Sequence, residues 1–231
     1  MQQRLDEALT TLLRRPVQTV GAGRTDTGVN ARCQVAHFDL DAPLPDPAQT
    51  VYKLNAILPA DIAAVCIRAV RDDAHARFSA REREYRYFIQ PRKCPFTRHS
   101  AWSLYRELDL DAMNRAAERL LRYDDFTTFA KLNSNNRTNI CHILYARWER
   151  LEDGRLCFTI RADRFLRNMV RSIVGTLVDV GRGRYTVEEF DRRVAARDLS
   201  LASGGAPAAG LFLWNVTYDD ALYMDQHHQT E

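Results

Sequence analysis

The stretch VGAGRTDTGVNARCQVAHFDL, residues 20–40, sets Asp26 two positions after Arg24, with Gly21, Gly23 and Gly28 around them. Glycines let a backbone take positive φ and let another molecule approach closely. A carboxylate on such a turn is favoured in its charged form by a neighbouring cation. An ionised, positioned carboxylate can act as a nucleophile or as a general base. The same residues also fit a structural turn, with Asp26 capping it and Arg24 as a surface partner. A second candidate is REYRY at 83–87, where Tyr85 stands between charged neighbours and can stack on a flat ring or use its hydroxyl. Ordinary strand packing of Tyr85 and Tyr87 is the competing reading. The third is RADRFLRNMVRSIVG at 161–175, where Arg164, Arg167 and Arg171 recur among apolar residues. A basic stripe on a packed helix is a footprint for phosphates. It equally fits a solvated face, and Arg171 can turn inward to neutralise a buried carboxylate.

The elements around these residues follow from periodicity. Leu5, Ala8, Leu9, Leu12 and Leu13 make one apolar stripe, so the first fifteen residues read as a helix. Residues 17–20 read as a short strand into the glycine turn, and 34–39 as an alternating strand. Residues 51–58 read as a helix ended by Pro59, and 63–70 as a strand. Residues 83–90 alternate strongly: Tyr85, Tyr87 and Ile89 share one face, Glu84, Arg86 and Phe88 the other. PRKCPFTRH (91–99) reads as a connection.

Residues 110–122 predict an amphipathic helix with Asp109 as N-cap and Met113, Ala116, Ala117, Leu120 and Leu121 inward. KLNSNNRTN (131–139) reads as an exposed loop. Residues 140–151 and 156–162 predict a hairpin around Glu152-Asp153-Gly154. A helix is expected over 165–180, with Phe165, Leu166, Met169, Val170, Ile173, Val174 and Leu177 on its apolar face. Thr186 with Glu189 forms a capping box for a helix over 186–196. SGGAPAAG is a loop, and 211–218 the last strand. Hairpins without a βαβ rhythm argue for an α+β fold rather than a doubly wound sheet.

The composition narrows the classes. At 231 residues the chain can bury a substantial core in one large or two small domains. No apolar run approaches the ~20 residues that span a bilayer. The N-terminus carries acids and an amphipathic pattern, unlike a signal peptide, which points to a cytoplasmic protein. Five cysteines without a C-x-x-C pair read as reduced thiols, and none is spaced with a histidine as a zinc site. Net charge is only +3, but of 33 basic residues only Lys53, Lys93 and Lys131 are lysine. Arginine's planar fork suits phosphate, although base composition of the genome also favours arginine codons.

Taken together, the segments resemble the tRNA pseudouridine synthase A family. Its hallmark G-R-T-D-x-G-V-H-A followed by Q-V-x-H-F stands here as GRTDTGVNA and QVAHF. N-x-x-L-P-x-D-I stands as NAILPADI, and H-A-R-F-S-A as HARFSA at 75–80. EYRYFI, DFTTF and MVRSIVG follow in order. The resemblance implies the pseudouridine synthase fold, α+β, with two subdomains sharing a mostly antiparallel or mixed central sheet and an active-site cleft between them. The expected subdomains are residues 1–92, N-terminal and catalytic, and 93–231, C-terminal, with the MVR helix. It also implies the activity: the uracil glycosidic bond breaks, the base turns, and C5 takes the place of N1.

By the same carry-over Asp26 is the nucleophile. Attack on the base, attack on the sugar and action as a base at the sugar all remain open. Tyr85 packs on the target base and takes part in proton transfer at C5, Arg171 orients Asp26, and Arg24 holds RNA backbone. Arg164 and Arg167 are candidate substrate contacts. The target nucleotide must leave its stack, at a cost of a few kcal/mol. The implied substrate is the anticodon stem-loop of tRNA, bound by a homodimer largely through phosphate contacts. No cofactor and no metal are implied.

The resemblance begins abruptly inside a family helix. The family's first strand, with its Y-D-G-x-x-Y-x-G-W-Q-type segment, is expected to be missing, and the expectation is that Met1 is internal to a longer protein. Thr27 stands for the family's usual Ala and Asn30 for its usual His; Asn keeps a hydrogen bond but cannot titrate near neutral pH. Cys33 stands where a small residue is common. Two other classes compete: a catalytically impaired RNA-binding protein on the same scaffold, and a nucleoside or glycoside hydrolase using Asp26. The latter normally needs a second carboxylate set against the first, and the resemblance gives that role to no other acid.

Overall fold

The computed structural model describes residues 1–132 and 137–224; residues 133–136 of the expected 131–139 loop lie outside the described residues. In chain order the elements are α1 (Gln2–Leu13), β1 (Val20–Gly21), β2 (Asn30–Ala31), β3 (Ala36–His37), α2 (Pro47–Ile57) and β4 (Glu82–Gln90). Then come β5 (Trp102–Ser103), α3 (Leu110–Arg119), β6 (Ile143–Arg150), β7 (Leu156–Ala162), α4 (Met169–Gly181), α5 (Val187–Ala195) and β8 (Leu211–Thr217). The expected α+β class holds: hairpins and helices alternate irregularly around a mixed sheet. Two compact units form, one from Met1–Arg24, Gln34–Arg81 and Thr217–Glu231, the other from Thr25–Cys33 and Glu82–Val216.

In the first unit the apolar stripe of α1 buries Ala8 and Leu9 against Val17, Leu54 and Leu58, with Leu5, Leu12 and Leu13 partly covered. Asp6 ties the following chain back to α1: its Oδ1 accepts the Thr19 N–H at 2.9 Å and the Thr19 hydroxyl at 2.6 Å. The strand expected over 17–20 is confined to β1, paired antiparallel with β3. Helix α2 starts earlier than its apolar pattern suggests. Asp46 accepts the Gln49 N–H at 2.8 Å and Pro47 opens the helix, a start signal carried by cap chemistry rather than by periodicity. The strand expected over 63–70 does not form. Among the described residues only Val70 of this segment finds a β-partner, Tyr223, and an apolar run without a partner strand makes no ladder.

The second unit is built on a sheet of order β2-β8-β4-β7-β6, with β5 pairing β4. β6 and β7 form the expected antiparallel hairpin, and β4 runs antiparallel to β7. Gly154 takes φ +82° in the hairpin turn, a conformation that favours glycine. The two faces of β4 separate as its alternation predicts. Tyr87 and Ile89 are buried in the core with α3, α4 and α5, while Phe88 packs with Ala101 and Cys157 in a second cluster. The core includes Met113, Ala116, Ala117, Met169, Ile173, Val174, Leu177 and Phe190, all inaccessible. Each fully buried large apolar side chain contributes about 1.5–3 kcal/mol.

Asp109 caps α3 by accepting the Ala112 N–H at 2.8 Å, and the Thr186–Glu189 capping box opens α5. Leu121 departs from expectation: it is exposed. The last turn, Leu120–Arg122, tightens to a 3-10 helix; at three residues per turn the 100° projection no longer applies.

Candidate active site

The helix expected from residue 165 starts only at Met169. Asn168 takes φ +64°, the left-handed region that asparagine tolerates better than most residues. Arg164 and Arg167 therefore precede the helix, and of the three arginines only Arg171 lies on it. The expected basic stripe on one helix face is thus not formed, because the backbone reverses hand at Asn168.

Helix α4 gives Arg171 a rigid base. Gly175 lets the segment around Gly204 lie directly on the helix: a Cβ at residue 175 would stand 2.2 Å from the Gly204 carbonyl oxygen. Three hydrogen bonds hold that segment. The Ser203 N–H donates to Thr176 Oγ1 at 3.1 Å, the Ser203 hydroxyl to the buried Asp179 carboxylate at 2.8 Å, and the Ala206 N–H to the Arg171 carbonyl at 2.9 Å. Arg171 Nε in turn donates to the Ala206 carbonyl at 2.7 Å. One edge of the guanidinium is thus fixed and the other is aimed.

It is aimed at Asp26. Arg171 Nη1 stands 3.3 Å from Asp26 Oδ2, and Arg167 Nε stands 3.6 Å from Asp26 Oδ1. The Asp26 and Arg171 side chains are each about one-fifth exposed, whereas that of Arg167 is 62 % exposed. Asp26 itself is set by a tight turn: its carbonyl accepts the Val29 N–H at 3.1 Å, and Gly28 takes φ +82°. After the turn, β2 pairs parallel with β8. Asn30 Nδ2 donates to two carbonyls, Ala209 at 3.0 Å and His99 at 3.1 Å. The carboxylate is thereby held at a partly open surface between two arginines, one fixed and one open to solvent.

Tyr85 stands on the core-facing side of β4, half-buried, edge-on to Phe165 with ring centroids 5.1 Å apart. Burial pushes its phenol up to about 12; Arg83 opposes the shift and the charge of Asp26 adds to it. Tyr85 is therefore a neutral hydrogen-bonding ring within the field of the Asp26 carboxylate. Its neighbour Tyr87 is fully buried and donates to the Pro207 carbonyl at 2.8 Å, which closes the floor beneath the 203–210 segment. Arg24 is exposed. Arg164 is half-buried, and its charge opposes the burial that raises the Cys141 thiol. Asp26, Arg167, Arg171 and Tyr85 thus converge. Arg167, expected only as a substrate contact, also pairs with Asp26, and nothing in the periodicity signals that pair. No group of three or more metal-ligating side chains occurs among the described residues.

A family model described as tRNA pseudouridine synthase matches residues 116–219. The chain is 48% identical to a protein of Bacteroides thetaiotaomicron named tRNA pseudouridine synthase A, over 98% of this chain and 84% of that one. It is 48% identical to the protein of that name from Parabacteroides distasonis, over 96% of this chain and 88% of the relative. It is 40% identical to that from Bacillus subtilis, over 95% and 90%.

Proposed function

This chain belongs to the tRNA pseudouridine synthase A family, and on that premise we propose that it is an isomerase converting uridine to pseudouridine in tRNA, with Asp26 as its nucleophile. The observation that carries the reading is the Asp26 carboxylate held between Arg171 and Arg167 with a neutral tyrosine close by. The reaction needs a group that acts at the glycosidic bond and then releases the sugar C1′ to carbon. Uridine loses its C1′–N1 bond and the C5 hydrogen, and gains a C1′–C5 bond and an N1–H. No atom is added and no electron is transferred, so the balance closes within one nucleotide.

In this reading Arg171 fixes the direction of the carboxylate and Arg167 swings between Asp26 and an RNA phosphate. Tyr85 covers one face of the uracil and assists transfer of the C5 proton. Arg24 and Arg164 contact RNA backbone. The target lies in the anticodon stem-loop, the acting species is a homodimer, and its compartment is the cytoplasm; all three rest on the family likeness. Among the described residues no helix is long and apolar enough to cross a membrane. The test uses tRNA with tritium at uridine C5. Tritium release by this chain and none by Asp26→Asn supports the reading. Release by both, or by neither, overturns Asp26 as the nucleophile of an active synthase.

A further inference from the structure

The connection 91–99, PRKCPFTRH, sets an exposed aromatic ring among basic residues outside the Asp26 site. Phe96 is 95 % exposed, although a phenylalanine gains from burial wherever packing allows. Arg92, Lys93 and Arg98 lie on the same short connection. From 91 to 106 the chain carries four permanent cations, Arg92, Lys93, Arg98 and Arg106, and no acid. Among the described residues Arg92, Lys93 and Arg98 form no ion pair.

This loop has defined geometry. Pro95–Thr97 is a 3-10 turn. The Thr97 N–H and hydroxyl both donate to the Cys94 carbonyl at 3.3 Å, and the Ser100 and Ala101 N–H groups donate to the Thr97 carbonyl at 2.9 Å. Its end is fastened to the Asp26 turn, because Asn30 donates to the His99 carbonyl. An unburied aromatic ring among cations that have no acidic partner, braced in place, matches a single-stranded nucleic acid: phosphates take the cations and a base takes the ring. An acidic protein surface would satisfy the charges but gives no reason for a lone flat ring held out in solvent.

Resting on the proposed tRNA reaction, we propose that loop 91–99 is an RNA-binding site coupled to the Asp26 turn through Asn30. Arg92, Lys93 and Arg98 take successive phosphates of the strand that carries the target uridine, and Phe96 stacks on an unpaired base of that strand.

The test is binding of a fluorescent anticodon stem-loop RNA to the full chain across a salt series, with tritium release by the wild-type chain measured in parallel. The triple variant R92A/K93A/R98A is expected to weaken binding ten-fold or more. It should flatten the plot of log affinity against log salt by roughly 0.7 for each single-strand phosphate it no longer neutralises. Phe96→Ala is expected to weaken binding about ten-fold with the slope kept, and Phe96→Trp to restore it. Wild-type affinity and slope in the triple variant, beside tritium release by the wild-type chain, would overturn the inference and leave the function standing. A change of oligomeric state in Phe96→Ala with unchanged RNA affinity would overturn it as well, assigning the surface to a second copy of the chain. Absence of both binding and tritium release by the wild-type chain would remove the function and the inference together.

Discussion

Asp26 and Arg171 lie 145 positions apart in the chain and 3.3 Å apart in the fold. The arginine reaches the carboxylate with one nitrogen while another is engaged by the Ala206 carbonyl at 2.7 Å. A side chain held at two points cannot drift, so the direction of the Asp26 carboxylate is set by the packing of α4 against the 203–206 segment. The site is thus only as accurate as that packing.

Arg171→Ala removes both bonds and leaves Asp26 with the exposed Arg167 alone. Misplacing a reacting group by about an ångström costs on the order of 100-fold in rate, and a loss of that size is expected in single-turnover conversion of bound tRNA. Arg171→Lys should recover only part of it, because one ammonium cannot serve carboxylate and carbonyl with the geometry of a planar fork. Wild-type turnover in Arg171→Ala would remove the orienting role.

Gly175→Ala would set a methyl group 2.2 Å from the Gly204 carbonyl oxygen, which is backbone and cannot rotate away. Overpacking of this kind costs about 1–3 kcal/mol, which at this chain length lowers the melting temperature by roughly 2–4 °C per kcal/mol. The displaced segment also carries the Ala206 carbonyl, so activity should fall with stability. Gly204→Ala, whose Cβ would meet nothing within 4 Å, is the control and should melt close to wild type. Equal melting curves for both variants would refute the close approach.

The Tyr85 phenol is raised from 10.0 to about 12, first by burial. The folded chain therefore holds this proton more tightly than the unfolded chain. The associated stability is complete below pH 10 and is lost as the pH climbs toward about 12. Phenolate absorbance of the folded protein at about pH 11 should fall short of that of the unfolded chain. Alkaline loss of stability should be shallower in Tyr85→Phe. In the pH range of activity Tyr85 stays neutral, so its ionisation should contribute no alkaline limb to the rate profile below about pH 11.

His37 behaves in the opposite sense. Burial, then the facing His75 with ring centroids 4.7 Å away, lowers its pKa, while Asp39 opposes them. Its Nδ1 accepts the Ala76 N–H at 3.1 Å, a bond that protonation at that nitrogen destroys. The neutral form is favoured by folding, so the stability it contributes is present above 6.5 and is lost as the pH falls below that value. Melting temperatures measured from about pH 7.5 down to about pH 5 should decline, and the decline should be shallower in His37→Asn. Parallel curves would show that the pair has no such effect.

Much of the molecule was legible in the chain by itself. The stripe of α1, the two faces of β4, the β6–β7 hairpin, the Asp109 cap and the Thr186–Glu189 capping box all follow from short-range geometry, which neighbouring residues specify completely. The glycine-flanked Asp26 and the REYRY tyrosine were recognisable for the same reason, as local motifs.

The tertiary structure decided everything that depends on residues distant in sequence. The apolar run over 63–70 could not reveal that, among the described residues, only Val70 finds a β-partner, since pairing is a property of two segments. Periodicity carries α4 back to residue 165, but one left-handed residue, Asn168, stops it there, and Arg167, before the helix, pairs with Asp26. Leu121 fell outside because a tightened turn changes the angular period. Side-chain types along the chain declare which charges are available. How firmly Arg171 is held against the carboxylate is settled by how closely two backbones can approach, here through a glycine at 175 that leaves room for the carbonyl of Gly204.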